Sequence, residues 1–169
     1  MRLQLFLKPE SRASSLFVIL GTQEQIIYRM RGELLPLGCR CVLSAPDGKT
    51  VARLSGVRIP GSFQYSAACE SRRVRMRVRP DALHRPVMFK GVPWRFRGNL
   101  VTRSFDIVED LPGDRPARVV MTHGRCWTRA EDCYVLTVAR AADAPLAVCV
   151  AVALDSSVQT GFFLSVPVG

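Results

Sequence analysis

The sequence predicts a single all-β domain that closes around one short apolar helix near its C-terminus. Three observations predict this fold. Apolar and polar residues alternate with a period of two along many short segments, which is typical of strands with one buried face. Clusters of Gly, Pro, Asn and Asp separate these segments at intervals of about 8–12 residues, as in barrels and sandwiches. One long run near the C-terminus is apolar on every side.

The length and composition agree with one globular domain. The chain has 169 residues, 48% of them apolar and 22% charged, and no linker or low-complexity stretch divides it. We therefore expect residues 1–169 to fold as a single unit with its own core.

The predicted strands share their length and their content of β-branched or aromatic residues. The clearest is residues 73–79, where four arginines occupy one face and three apolar residues the other. The others are residues 16–20, 26–30, 50–54, 62–67, 94–97, 104–108, 117–121 and 133–139. Turns are predicted between them at residues 21–24, 45–48, 60–61, 97–99 and 111–114.

A faint internal repeat supports a closed barrel. Residues 30–54 and 96–120 each consist of a strand, a Gly-polar turn, a strand, an Asp/Gly turn and a strand. The Gly-polar turns are predicted at Gly32 and Gly98. Two related halves followed by a helix are consistent with a barrel that the helix plugs.

The segment from Asp143 to Asp155 is the predicted helix. Asp143 is a suitable N-cap, and Pro145 is suited to the first turn. A helix that is apolar all round must be buried all round, and its many alanines suit a narrow barrel. A fully buried strand is the alternative, which the valines favour. The apolar run 145–154 is about half as long as a membrane-spanning helix needs, so we expect no transmembrane segment.

These features resemble a known family. The order of weak motifs is similar to that of the LURP-one-related proteins, in the tubby C-terminal-like superfamily that also includes phospholipid scramblases. The resemblance spans roughly residues 3 to 165 and rests on residues 32–38, 47–52, 96–99, 105–107, Trp127, Asp132 with residues 133–138, and the helix that ends at Asp155. It implies a barrel of about twelve strands around a central hydrophobic helix.

The resemblance implies less about function. Tubby proteins bind phosphoinositides and scramblases associate with membranes, but fold carries over better than function does. The chain lacks a calcium-loop run of alternating acids and a cysteine-rich palmitoylation cluster, so we infer no scramblase activity. The lipid-contacting residues of tubby proteins have no position-by-position match here.

Positive charge is the strongest local feature. The formal net charge is +10, and residues 71–103 hold ten basic side chains and one acid. Arginine, which suits phosphate and carboxylate groups, supplies 21 of the 24 basic residues. We predict an anion-binding outer face on adjacent strands, formed by Arg73, Arg75, Arg77, Arg79, Arg95 and Arg97. The alternatives are a solvated strand face whose charge only aids solubility, and a surface for an acidic protein.

Other partners and chemistries have weaker support. Trp94 and Phe96 are expected on the face opposite Arg95 and Arg97, whereas a single-strand nucleic-acid binder exposes aromatics beside its arginines. Cys39 and Cys41 lack the usual zinc spacing, and His123 with Cys126 has no second pair. We therefore predict neither nucleic-acid binding nor a metal or other cofactor.

The sequence contains no recognisable set of catalytic residues. The chain has two histidines, and it has neither a nucleophile elbow nor a glycine loop for phosphate. Several acids, Asp106, Glu109, Asp110 and Asp114, are expected in and around a solvated turn. Asp155 is expected to cap or close the helix. No residue is assigned a catalytic role.

The sequence thus predicts a non-enzymatic barrel whose arginine-rich face binds anionic phospholipid or phosphoinositide headgroups. Two alternatives stay open: a structural or protein-interaction module with incidental charge, and an enzyme with a site in the barrel mouth. No signal peptide follows Met1, so we expect a cytoplasmic protein with reduced cysteines, which the lipid hypothesis places at the membrane periphery. A continuous basic patch would favour lipid, and a patch broken by acids would favour the module.

Overall fold

The protein is a nearly closed, antiparallel barrel of twelve strands around one C-terminal helix, as predicted. The computed structural model describes residues 2–12, 15–35, 38–70, 72–126 and 133–165. The strands are β1 (Leu3–Arg12), β2 (Ser15–Leu20), β3 (Ile26–Leu35), β4 (Gly38–Ser44), β5 (Thr50–Ile59), β6 (Ser62–Cys69), β7 (Arg72–Val78), β8 (Val87–Lys90), β9 (Trp94–Asn99), β10 (Ser104–Glu109), β11 (Arg118–Arg125) and β12 (Tyr134–Val138).

The first strand joins the two ends of the chain into one sheet. The strand order is β8-β7-β6-β5-β4-β3-β2-β1-β12-β11-β10-β9, so β1 pairs with both β2 and β12. The two ends of the sheet, β8 and β9, follow each other in sequence without a hydrogen-bonded ladder between them. The barrel is therefore closed everywhere except at this seam.

Nine of the twelve strands correspond to predicted segments. Strand β4 corresponds only to the middle strand of the first repeat unit, for which the sequence pattern sets no bounds, and β1 and β8 have no predicted counterpart. A run of Lys8, Pro9 and Glu10 interrupts the alternation in β1. Only four residues form β8, between Pro86 and Gly91. In β4, Val42 is the only β-branched residue and no residue is aromatic, so the segment lacks the composition that marks strands.

Two predicted turns are wrong because their glycines lie inside strands. Gly32 lies in β3 with φ +136°, and Gly98 lies in β9 with φ +125°. A Cβ on Gly32 would stand 2.0 Å from the carbonyl oxygen of Arg40 on the neighbouring strand. Both glycines therefore permit an unusual backbone conformation and a close approach between strands rather than a reversal of the chain.

The predicted helix is confirmed, but it is longer than expected. A single 3-10 turn, Ala141–Asp143, leads into α1 (Ala144–Ser165). The predicted helix ends at Asp155, whereas α1 continues for ten residues beyond it. Asp143 directly precedes α1, but its carboxylate accepts a hydrogen bond from Arg72 at 2.6 Å instead of capping a helix amide.

The helix occupies the interior of the barrel. Every side chain from Leu146 to Leu154 has no solvent exposure. The helix contacts β5, β6 and β7 on one side and β11 and β12 on the other, so strands surround it. Three alanines, Ala147, Ala151 and Ala153, leave room for the inward side chains of the strands.

Among the described residues, one helix segment, Ala141–Val158, is long and apolar enough to cross a membrane by length and composition. The barrel buries 78% of that segment. A helix in the core of a protein can have the same length and apolar composition, and the structure places this helix in the core.

The antiparallel order places successive connections at alternate ends of the barrel. We call the end where α1 begins the near end, and the opposite end the far end. The described near-end connections are residues 21–25, 45–49, 70, 91–93, 110–117 and 139–143. The described far-end connections are residues 60–61, 79–86, 100–103, 126 and 133.

Candidate anion-binding surface

Strand β7 has charged side chains on its outer face and apolar side chains on its inner face, as the alternation of its sequence predicts. Val74, Met76 and Val78 point into the barrel and are at most 2% exposed. Between them Arg73, Arg75 and Arg77 point outward and are exposed. The three arginine Cα atoms span about 13 Å, because a strand rises about 3.3 Å per residue.

The pairing register places further cations beside these arginines. Arg75 lies directly opposite Lys90 on β8 and Ser66 on β6. Arg77 lies opposite Gln64 on β6 and Met88 on β8. Every outward residue that pairs with the arginines is thus neutral or basic.

The same rows continue across the sheet to β5 and β4. Ala68, which pairs with Arg73, also pairs with Arg53 on β5. Ser55, in the row of Arg75, pairs with Arg40 on β4. We call this exposed set the basic face; its members are Arg40, Arg53, Arg73, Arg75, Arg77 and Lys90.

No acid neutralises the basic face within the part of the chain that the structure describes. None of its six cations has a carboxylate within ion-pair distance there. Glu33, opposite Arg40 on β3, marks its lateral boundary. Like charges directly across a ladder repel each other, as Arg75 and Lys90 do here, so a bound anion would relieve strain at this position.

The structure separates the six arginines of the predicted face. Strand β9 forms the other end of the sheet, with β8 between it and β7, so the expected adjacency of β7 and β9 is wrong. Arg95 pairs with Asp110 at 3.1 Å and Arg97 with Asp106 at 2.9 Å. Arg79 is exposed in the loop beyond β7, where its amide donates to the carbonyl of Pro86 at 2.7 Å.

The aromatic residues of β9 face inward, as predicted. Trp94 is 6% exposed, and its ring packs edge-on against Phe89 with centroids 6.1 Å apart. Phe96 is half-buried and packs against Phe105. Neither ring lies beside Arg95 and Arg97 as a platform for nucleic-acid bases.

A buried polar cluster, which the sequence analysis missed, joins α1 to the barrel wall. The carboxylate of Asp155 lies 3.8 Å from Arg103 Nε and 3.4 Å from His123 Nε2. Arg103 also donates to the hydroxyl of Tyr134. Asp155 was expected to cap or close the helix, but it lies within α1 and pairs with the β9–β10 turn and β11.

The geometry of this cluster suits a structural role, in which it holds α1 in place against the barrel wall. His123 is fully buried, stacked between Phe105 and Tyr134, with centroids 4.5 Å and 5.1 Å away. Its Nδ1 lies 2.6 Å from the carbonyl oxygen of Arg103, so Nδ1 carries a proton. An Asp–His pair can act as a general base, but both ring nitrogens of His123 already face protein groups.

The described interior offers little space for a small molecule at one mouth of the barrel. A cavity of about 10 Å³ there, lined by Cys39, Gly56, Phe63, Tyr65 and Ser156 among others, has room for about one water molecule. A hydrogen bond from Cys41 lowers the pKa of Cys39, and burial raises the pKa of Tyr65. Cys39, Cys41, Cys69 and Cys149 carry free thiols, and among the described residues no three His, Cys, Asp or Glu side chains are grouped to hold a metal ion.

Comparisons with known proteins agree with this architecture. A family model described as LURP-one-related matches residues 3–155. No curated protein matches the chain. The X-ray structure of a protein from Arabidopsis thaliana is similar, with a TM-score of 0.53 and 14% identity over 91% of this chain and 90% of that chain. At this identity the likeness shows the fold alone. Two residues of the motif order, Trp127 and Asp132, lie outside the described residues.

Proposed function

We propose a membrane-surface role for this chain, which belongs to the LURP-one-related family: it is a non-enzymatic barrel whose basic face binds the phosphate groups of anionic phospholipid headgroups. The observation that supports this proposal most is the basic face itself. It presents six exposed cations on four strands, β4, β5, β7 and β8, and in the described part of the chain no carboxylate lies within ion-pair distance of any of them.

The side chains suit phosphate chemically. Five of the six are arginines, whose planar guanidinium donates two parallel hydrogen bonds to phosphate oxygens. Serine and glutamine side chains between them, Ser55, Ser66 and Gln64, add neutral hydrogen-bond donors without repelling an anion. The barrel supplies a stiff platform, since its opposite surface buries the core.

The charges suffice for reversible attachment. A basic residue close to an anionic bilayer contributes about 1 kcal/mol, so even three of the six would contribute about 3 kcal/mol. The attraction between exposed charges is screened beyond about 8 Å at physiological salt, so binding should weaken steeply as salt rises.

Matched arginine variants test the location of the site. Arg75→Gln/Arg77→Gln removes two charges from the basic face, and Arg95→Gln/Arg97→Gln removes two arginines that acids already pair. Co-sedimentation with phosphatidylserine vesicles should show about 30-fold weaker binding for the first variant. The second should bind within about threefold of the unmodified protein, because exposed ion pairs contribute little.

The result that would contradict the proposal is equal loss of binding in both variants, which would mean that only net charge matters. Vesicles containing a phosphoinositide, tested beside phosphatidylserine at equal total charge, distinguish a particular headgroup from general anionic lipid. Stronger binding to the phosphoinositide would assign a headgroup preference to the basic face.

The rival function is a protein-interaction module. The arginines of β9 favour a protein-interaction role for the side of the barrel that β9 forms, because Asp106 and Asp110 pair with them and interrupt the positive charge there. Absence of vesicle binding at low salt, together with capture of an acidic protein that Arg75→Gln/Arg77→Gln releases, would support the module.

A further inference from the structure

Most of the exposed large apolar side chains that the structure describes lie at or next to the far end of the barrel. Among the described residues, five large apolar side chains are exposed, and four of them lie at or next to this end. Leu83, in the β7–β8 loop, is 94% exposed, and Val101, in the β9–β10 turn, is 68% exposed. The other two, Val57 and Met88, share the row of Arg77, which is the row of the basic face nearest the far end.

The two ends also differ in charge. The described near-end connections contain six acids and three bases. The described far-end connections contain three bases and one acid, Asp81. One of those bases, Arg103, is turned inward to Asp155, which leaves Arg79 and Arg85 exposed beside Leu83. At the near end Asp110 and Asp143 are likewise paired, with Arg95 and Arg72. With Arg103, Asp110 and Asp143 set aside, the described connections hold two bases and one acid at the far end and three bases and four acids at the near end, so they favour the far end for an anionic surface.

We propose that the far end is the membrane-facing end, and that Leu83 and Val101 insert between lipid headgroups of an anionic bilayer while Arg77, Arg79 and Arg85 contact the phosphates around them. This orientation rests on the proposed lipid binding, and it adds which end of the barrel faces the membrane. Apolar loop tips with arginines beside them suit both layers of a bilayer interface. The apolar side chains can contact acyl chains, and the cations can contact phosphate groups.

Tryptophan probes at opposite ends test the orientation. Leu83→Trp places a probe at the far end, and Gln23→Trp places one at the near end, both at exposed positions. On anionic vesicles with brominated acyl chains, the fluorescence added by Leu83→Trp over the unmodified protein should be quenched. The fluorescence added by Gln23→Trp should not be.

A polar variant gives a second readout without changing net charge. Leu83→Gln/Val101→Thr should weaken vesicle binding about tenfold, because it removes apolar surface that insertion would bury. Its urea midpoint should match that of the unmodified protein, since both side chains are largely exposed.

The outcomes separate the two proposals. Vesicle binding with quenching at Gln23→Trp, or at neither probe, would overturn the orientation and leave the basic face as the site. Absence of any vesicle binding would overturn both. Self-association without lipid that Leu83→Gln/Val101→Thr abolishes would assign the far end to a second copy of the chain and overturn membrane insertion.

Discussion

Asp155 and Arg103 form an ion pair inside the barrel, with side chains only 5% and 14% exposed. Removing one partner of a buried pair leaves the other charge uncompensated, which typically costs about 3–5 kcal/mol. Asp155→Asn should therefore lower the free energy of unfolding by about that amount, measured by urea denaturation. Asp106→Asn breaks an exposed pair with Arg97 and should cost less than about 1 kcal/mol. Equal effects of the two substitutions would contradict the role of Asp155 in holding α1 in place.

Cys149 lies on the buried helix, and burial raises the pKa of its thiol from 9.0 to about 12, with the neighbouring thiols Cys69 and Cys39 adding to the shift. The unfolded thiol loses its proton near 9.0, whereas the folded thiol keeps it. The stabilising contribution is therefore complete below pH 9 and is lost as pH rises towards 12.

This linkage predicts a difference between the protein and its Cys149→Ala variant. Between about pH 8 and about pH 10.5, the free energy of unfolding of the unmodified protein should fall by roughly 2 kcal/mol more than that of the variant. Urea titrations at both pH values measure the difference. Parallel losses would show that this thiol is not protected from ionisation by the fold.

At the scale of strands, substitution of Gly32 tests whether the close approach between β3 and β4 requires glycine. Gly32→Ala combines φ +136° with a Cβ 2.0 Å from the carbonyl oxygen of Arg40, so it should destabilise the protein by more than about 3 kcal/mol. Gly48→Ala is the matched control, because Gly48 also has positive φ, +89°, but its Cβ would meet nothing within 4 Å. It should cost about 1 kcal/mol. Thermal denaturation ranks the two, and equal midpoints would mean that β3 shifts to accept the methyl group.

Elements with a strong local pattern could be predicted from the sequence. Strand β7 alternates over its full length, and residues 146–154 of α1 are apolar on every side, so both elements were found. In contrast, β4 and β8 are short or poor in β-branched residues, and they become strands because their neighbours offer open backbone groups. The end of α1 was misplaced at Asp155, where the apolar run ends, yet Ser157 beyond it is fully buried and its hydroxyl donates to the carbonyl oxygen of Leu154 at 2.8 Å.

At the scale of the whole molecule, the candidate surface was predicted only in part. Alternation indicates which side of β7 is wet, but long-range pairing decides which strands lie beside it. Arg53, Arg40 and Lys90 belong to the basic face through the registers of β4–β8, which no local signal contains. The pairing of Arg97 with Asp106 had a local signal, since both residues belong to one hairpin and lie opposite each other across it.

The affinity of the unmodified protein for vesicles of neutral and anionic lipid, at about 0.05 M and about 0.5 M NaCl, tests the central claim most directly. The account predicts binding that requires anionic lipid, rises with its fraction in the bilayer and is largely lost at the higher salt. Binding to neutral vesicles with equal affinity, or no binding to anionic vesicles at the lower salt, would contradict it.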